Sequence, residues 1–164
     1  MWTGLIRSFR GVRRDERGVQ LVELAIVIPV IALLLAAVAE FGRYFYEYTT
    51  LAKGARIATR YLVTAHTDGT DDPAAKNLVV YGNLAGTGSP ILSGLDPTNV
   101  QITRRDASGG TMTGGIPSTV TVEIINFPHV SLFNLSGLTG SSATLNIPVK
   151  PSVTMKYLLT QPLI

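Results

Sequence analysis

The longest uninterrupted apolar run of the chain occupies residues 24–39, with Glu23 just before it and Glu40 at its end. Sixteen helical residues rise about 24 Å, short of the ~30 Å hydrocarbon core of a bilayer. Starting at Val19 lengthens the run to about 31 Å at the same rise. The pattern predicts a membrane-spanning helix over residues 19–39, carried by Leu21, Leu24, Leu33, Leu34 and Ala39. Pro29 removes one backbone hydrogen bond and is expected to bend it, a feature tolerated where neighbouring helices satisfy the freed carbonyl. Helical periodicity continues past Glu40: Phe41, Tyr44, Phe45, Tyr48, Leu51, Ala52, Ala55, Ala58 and Leu62 recur at three- and four-residue steps as one apolar stripe. Arg43 and Glu47 form a favourable i, i+4 pair off that stripe. One helix over residues 19–65, about 70 Å long, is predicted. Its second half, residues 40–65, would pack on a domain. Phe41, Tyr44, Phe45, Tyr46 and Tyr48 lie where an interfacial aromatic belt would sit, and the competing reading makes them core.

Beyond Ala65, glycine, proline and small polar residues become frequent and a period of two replaces the helical one. "HTDGTDDP" reads as a loop, and "NLVVYG" is β-rich enough for a strand, with helix the alternative. "NVQITRR" turns Val100 and Ile102 inward, and "TVTVEII" does the same with Val120, Val122 and Ile124. "DASGGTMTGG" is a glycine-rich hairpin connection between them. "FPHVSLFNLSGL" is an apolar connector, and "ATLNIPVKPSVTMKY" a last strand region that Pro148 and Pro151 confine to an edge or bulge. The expected fold is α+β, a long N-terminal helix packed on a small antiparallel sheet. It divides into a basic leader (1–18), a membrane helix (19–39), its amphipathic extension (40–65) and a β-rich domain (66–164).

Charge changes the picture at one end only. The net charge is +3, and the whole excess lies in residues 1–18, where five arginines face Asp15 and Glu16. The rest of the chain holds nine cationic and nine acidic side chains, so a basic face for nucleic acid is not expected. Arginines just before an apolar run instead keep residues 1–18 cytoplasmic and send the remainder across the membrane. With no cysteine, disulfides, a thiolate nucleophile and a cysteine zinc site are all excluded.

Three readings of the N-terminus compete. Ala37-Val38-Ala39 before Glu40 has the small-x-small form of a secretory cleavage site. A plain uncleaved anchor leaves Glu23 unexplained. The third reading cuts the chain after Gly18, making Val19 the first residue and Glu23 the fifth. A carboxylate at a helix centre in lipid costs roughly 2.5–3.5 kcal/mol on insertion scales. Cleavage would create a cationic α-amino group at Val19. Its attraction to Glu23, in the same or a neighbouring chain, is ~4 kcal/mol at about 4 Å and an effective dielectric of about 20, before desolvation. A paired glutamate is then tolerable, and Glu23 sets one subunit in register against another.

The ordered pieces Arg17-Gly18, Val22-Glu23, Pro29, Glu40-Phe41-Gly42-Arg43 and Ala55-Arg56-Ile57-Ala58-Thr59-Arg60-Tyr61 resemble the TadE-like family of tight-adherence (Tad/Flp) pilus systems. The resemblance covers about residues 13–62. It implies a pilin-like fold and a minor pilin or pseudopilin, processed by a prepilin peptidase and engaged with other pilin or pseudopilin subunits and the assembly platform. It also implies a single-pass protein of the bacterial inner membrane, its N-terminus cytoplasmic and its C-terminal domain periplasmic. Leu24 stands where major pilins of these systems usually carry Tyr, which points to the minor class.

No catalytic constellation accompanies these features. His66 and His129 are far apart in sequence and read as ordinary loop histidines rather than metal ligands. Asp68, Asp71 and Asp72 lack EF-hand spacing and read as a solvated turn. The glycine-rich loop has no lysine and opens no helix, so it is no phosphate cradle. There is no Gly-x-Ser-x-Gly elbow, and Asn134-Leu135-Ser136 matches a glycosylation sequon only as a pattern. The chain is expected to be no enzyme and to need no cofactor or metal. The rival is a secreted or anchored binding module or hydrolase with a pocket in residues 66–164.

Overall fold

A computed structural model describes residues 16–112, 114–132 and 147–158. The leader up to residue 15, the sequon and the second half of the apolar connector lie outside the described residues. The chain divides into two compact units, residues 1–39 and 40–164.

In the first unit the described residues form only helix. The helix α1 runs Glu16–Leu62, through Pro29, and continues into the second unit. From residue 18 to residue 39 every side chain except Ala36 is exposed. Among the described residues nothing covers the apolar surface of Leu21, Leu24, Leu33 and Leu34.

The second unit is built from the rest of α1, the helix α2 (Asp72–Tyr81) and three strands, β1 (Val100–Arg105), β2 (Thr119–Ile124) and β3 (Ser152–Lys156). The sheet is antiparallel in the order β1-β2-β3, with Val100 opposite Ile124 and Val122 opposite Val153. Val100, Val120, Val122 and Ile124 are buried. They meet Leu51, Ala55, Ala58 and Leu62 of α1 and Ala75, Val79 and Val80 of α2 in one core. The expected α+β class, a long apolar helix whose extension packs on a small antiparallel sheet, is what the structure shows. The alternation read in β1 and β2 places Val100, Val120, Val122 and Ile124 inward, with Ile102 partly buried against the same core, and β3, which starts just past Pro151, lies at a sheet edge.

Three expectations need correction. "NLVVYG" is the second half of α2 rather than a strand. Pro73 fits the first helical turn, Ala75, Val79 and Val80 share a helical face, and Gly82 closes the helix in the left-handed region at φ 72°, its N–H donating to the Leu78 carbonyl. Helix boundaries outweigh the strand preference of the valines. The extension of α1 stops at Leu62 instead of Ala65. Residues 63–65 turn so that the Val63 carbonyl accepts from the Leu158 N–H at 3.1 Å and the Ala65 carbonyl from the Tyr157 hydroxyl at 2.5 Å. The apolar stripe is also narrower than its periodicity implies. Tyr44, Leu51, Ala55, Ala58 and Leu62 belong to the core, but Phe41 and Phe45 are 76% and 62% exposed and Tyr46 and Tyr48 also face outward. The aromatics thus split between core, for Tyr44, and an uncovered belt.

A histidine held between two glutamates and a bare apolar helix

Where α1 enters the second unit, its inward turn carries charge instead of a hydrocarbon seam. Glu40, Arg43, Tyr44 and Glu47 recur at helical spacing on the face that approaches residues 127–132. Those residues are held from behind: the His129 N–H donates to the Ile147 carbonyl at 3.0 Å, and the Val149 N–H to the Phe127 carbonyl at 2.9 Å. Phe127 and Val149, both buried, root this short ladder in the core.

His129 is 2% exposed and Glu40 5%. The imidazole Nε2 lies 2.8 Å from Glu40 Oε1 and its Nδ1 lies 2.7 Å from Glu47 Oε2. The Leu132 N–H donates to both Glu40 oxygens, at 3.2 and 3.4 Å. Arg43 completes the group, with Nη1 3.5 Å from Glu40 Oε1 and Nη2 3.7 Å from Glu47 Oε1. The Arg43 Nη1 atom itself is buried without a hydrogen-bond partner, so it contributes charge more than a directed bond. Tyr44 sets its ring edge-on to the imidazole, centroids 5.5 Å apart. The i, i+4 pair of Arg43 and Glu47 is present, as part of a larger network. The Arg43 charge offsets one of the two carboxylates that flank the histidine, which lowers the cost of burying them.

His129 is therefore not an ordinary loop histidine. A signal was available: a histidine inside the apolar run "FPHVSLF" has to be buried, and a buried imidazole needs partners. Glu40 and Glu47, two turns apart on one helix face, are the only carboxylates in α1 beyond Glu23 and the opening Glu16.

The acidic loop after α1 is consumed internally. Asp71 accepts from the His66 N–H at 2.8 Å, contacts the His66 ring at 2.7 Å and accepts from the Tyr61 hydroxyl at 3.2 Å. The hydrogen bonds from the His66 backbone and ring, with that of Tyr61, outweigh burial and hold the Asp71 carboxyl below its ordinary range. Asp72 takes a two-pronged contact from Arg104, at 3.1 and 2.5 Å. Asp68 turns onto the Thr70 N–H. Among the described residues no group of three or more histidine, cysteine or acidic side chains is placed to hold a metal ion.

The remaining sequence-derived positions fall on α1. Gly18, Val19, Val22, Glu23 and Ile26 share one face of it. Glu23 has no ion-pair or hydrogen-bond partner among the described residues. Gly42 has open space where a Cβ would stand, Ala55 is fully buried, Arg56 and Arg60 are exposed, and Tyr61 is tied to Asp71.

Among the described residues, then, an exposed apolar helix long and apolar enough to cross a membrane continues into a small α+β unit. The profile of the family described as TadE-like protein matches residues 18–60, the stretch that holds both the bare helix and the Glu40–Glu47 turn. The family is one of structural proteins associated with Tad pili. No curated protein and no solved structure matches the chain.

Proposed function

We propose that this chain is a minor pilin or pseudopilin of a tight-adherence pilus, cut after Gly18 by a prepilin peptidase, anchored by residues 19–39 and then drawn into contact with other subunits. The observation that carries the reading is the apolar helix, uncovered among the described residues, with a Glu23 inside it that has no partner among them. Such a surface needs lipid, and later the equivalent helices of other subunits, to remove it from water. Val19 and Glu23 stand one turn apart on a shared face, so a new amine at Val19 is within reach of a Glu23 carboxylate in the same or a neighbouring chain. The N-terminus stays cytoplasmic and the unit beginning at Glu40 faces the periplasm. Phe41, Phe45, Tyr46 and Tyr48, all exposed, sit at the outer interface.

The test is the N-terminal mass of the mature protein recovered from its native membrane, together with piliation of a Glu23→Ala strain. A chain beginning at Val19, with the variant inserted but piliation impaired, is the expected result. A chain beginning at Glu40 would mean ordinary secretion and end the pilin reading. An intact Met1 would leave a static anchor.

A further inference from the structure

Both ring nitrogens of His129 are in hydrogen-bond contact with carboxylates. A neutral imidazole has one N–H and one lone pair, whereas the imidazolium donates from both nitrogens. Here both nitrogens face carboxylate oxygens, Glu40 on one side and Glu47 on the other, at 2.8 and 2.7 Å. Only the imidazolium satisfies both contacts while the carboxylates are ionised. With it, the two carboxylates, Arg43 and His129 sum to zero charge. With a neutral ring, the same closely packed group carries an excess negative charge and sets a lone pair against an oxygen. Every charged group facing the ring among the described residues is then accounted for: Glu40, Arg43 and Glu47 from α1, with the uncharged edge of Tyr44 beside them.

We propose that Glu40, Arg43, Glu47 and His129 form a proton-operated latch that fastens residues 127–132 to α1, closed when His129 carries two ring protons and open when it carries one. The latch has a second bolt on the same carboxylate, the Leu132 N–H on Glu40. In the open state the proton lost is that on Nε2, which sets a lone pair against Glu40, repels the histidine from that carboxylate and loosens the Leu132 bolt with it. The opposite side of the strap, paired with residues 147–149, does not involve the charges and stays rooted through Phe127 and Val149. Opening is therefore local: it frees the outer part of the strap and bares the Glu40–Glu47 turn of α1, just past the apolar segment. It does not depend on the pilus reading, because every group in it belongs to one unit of one chain.

The experiment uses the full chain in detergent micelles, carrying His66→Gln so that His129 is the only histidine, with ¹⁵N in its ring. Ring ¹⁵N shifts and amide-exchange protection of Leu132 are followed from about pH 5 to about pH 9, the range in which histidine ordinarily changes charge. The expected result is two protonated ring nitrogens at the acid end. Loss of one proton on raising the pH should bring at least a ~10-fold fall in Leu132 protection at the same midpoint, beyond the intrinsic pH dependence of exchange. Glu47→Gln should move that midpoint to lower pH. A ring with a single proton throughout, or Leu132 protection that stays constant while the ring titrates, overturns the latch. Both readouts come from a chain with all four cluster residues intact, so the test stands if Glu47→Gln does not fold.

Discussion

Gly54 lies on the buried face of α1 where that helix meets α2, and it offers a quantitative check on how closely the two approach. A Cβ at position 54 would stand 3.4 Å from both Cα and the carbonyl oxygen of Val79 and 3.5 Å from its Cγ1. Those are ordinary contact distances for one methyl group, with nothing to spare for a second carbon. The backbone is helical there, so alanine is conformationally welcome and should gain the helix-interior preference over glycine, about 0.8–1.0 kcal/mol. Gly54→Ala is thus expected to stabilise the second unit by about 0.4–1 kcal/mol. Gly54→Leu adds three further carbons against backbone atoms that cannot rotate away, and overpacking of this kind costs about 1–3 kcal/mol. The two substitutions should move the thermal midpoint in opposite directions, by roughly 2–8 °C per kcal/mol for a unit of this size. The assay is thermal unfolding of the full chain in detergent, followed by near-ultraviolet circular dichroism of its tyrosines. If alanine lowered the midpoint as leucine does, α1 would lie nearer to Val79 than these distances allow. If leucine left it unchanged, the helices would not be packed here at all.

Two further outcomes follow from the same structure. The Asp71 carboxyl is held below its ordinary range. Its contribution to stability is therefore fully present above the unfolded carboxylate value of about 3.9 and is lost as the pH falls through the lower folded value. In acid-unfolding curves Asp71→Asn should flatten that part of the acid limb, and an unchanged limb would refute the assignment. Leu62→Ala, at a side chain 1% exposed between helix and sheet, should cost about 2–5 kcal/mol in urea unfolding. Leu35→Ala, whose side chain lies bare on the first unit, should leave the second unit's midpoint where it is. Equal losses in both would contradict the division between core and uncovered helix.

What the sequence made legible, and what it hid, divides by the range of the physics involved. The apolar run, the strand alternation in residues 100–105 and 119–124 and the prolines that precede the last strand are local patterns, and the alternation names the buried face of each of its strands. The width of the α1 stripe was not legible. Phe41 and Phe45 keep the same period as Tyr44 and Leu51, and hydrophobicity alone cannot tell a side chain that meets a sheet from one left exposed among the described residues. "NLVVYG" failed for a related reason, since its valines carry a strand preference that Pro73 and Gly82 override only when read together as helix ends. The cluster around His129 was hidden in a further sense. Glu40 reads as the end of an apolar run and Glu47 as the partner of Arg43, and His129 is more than eighty residues away from both. No spacing rule joins them. What does join them is the requirement that buried polar groups be satisfied. A helix turn offering two carboxylates and one guanidinium toward its own core is one cation short of neutrality, and the histidine in the apolar connector is the group that can supply it. The Glu40-Phe41-Gly42-Arg43 motif thereby acquires a structural content that the resemblance did not contain: two of its four residues, Glu40 and Arg43, are partners in a buried charge network, while Phe41 points away from it.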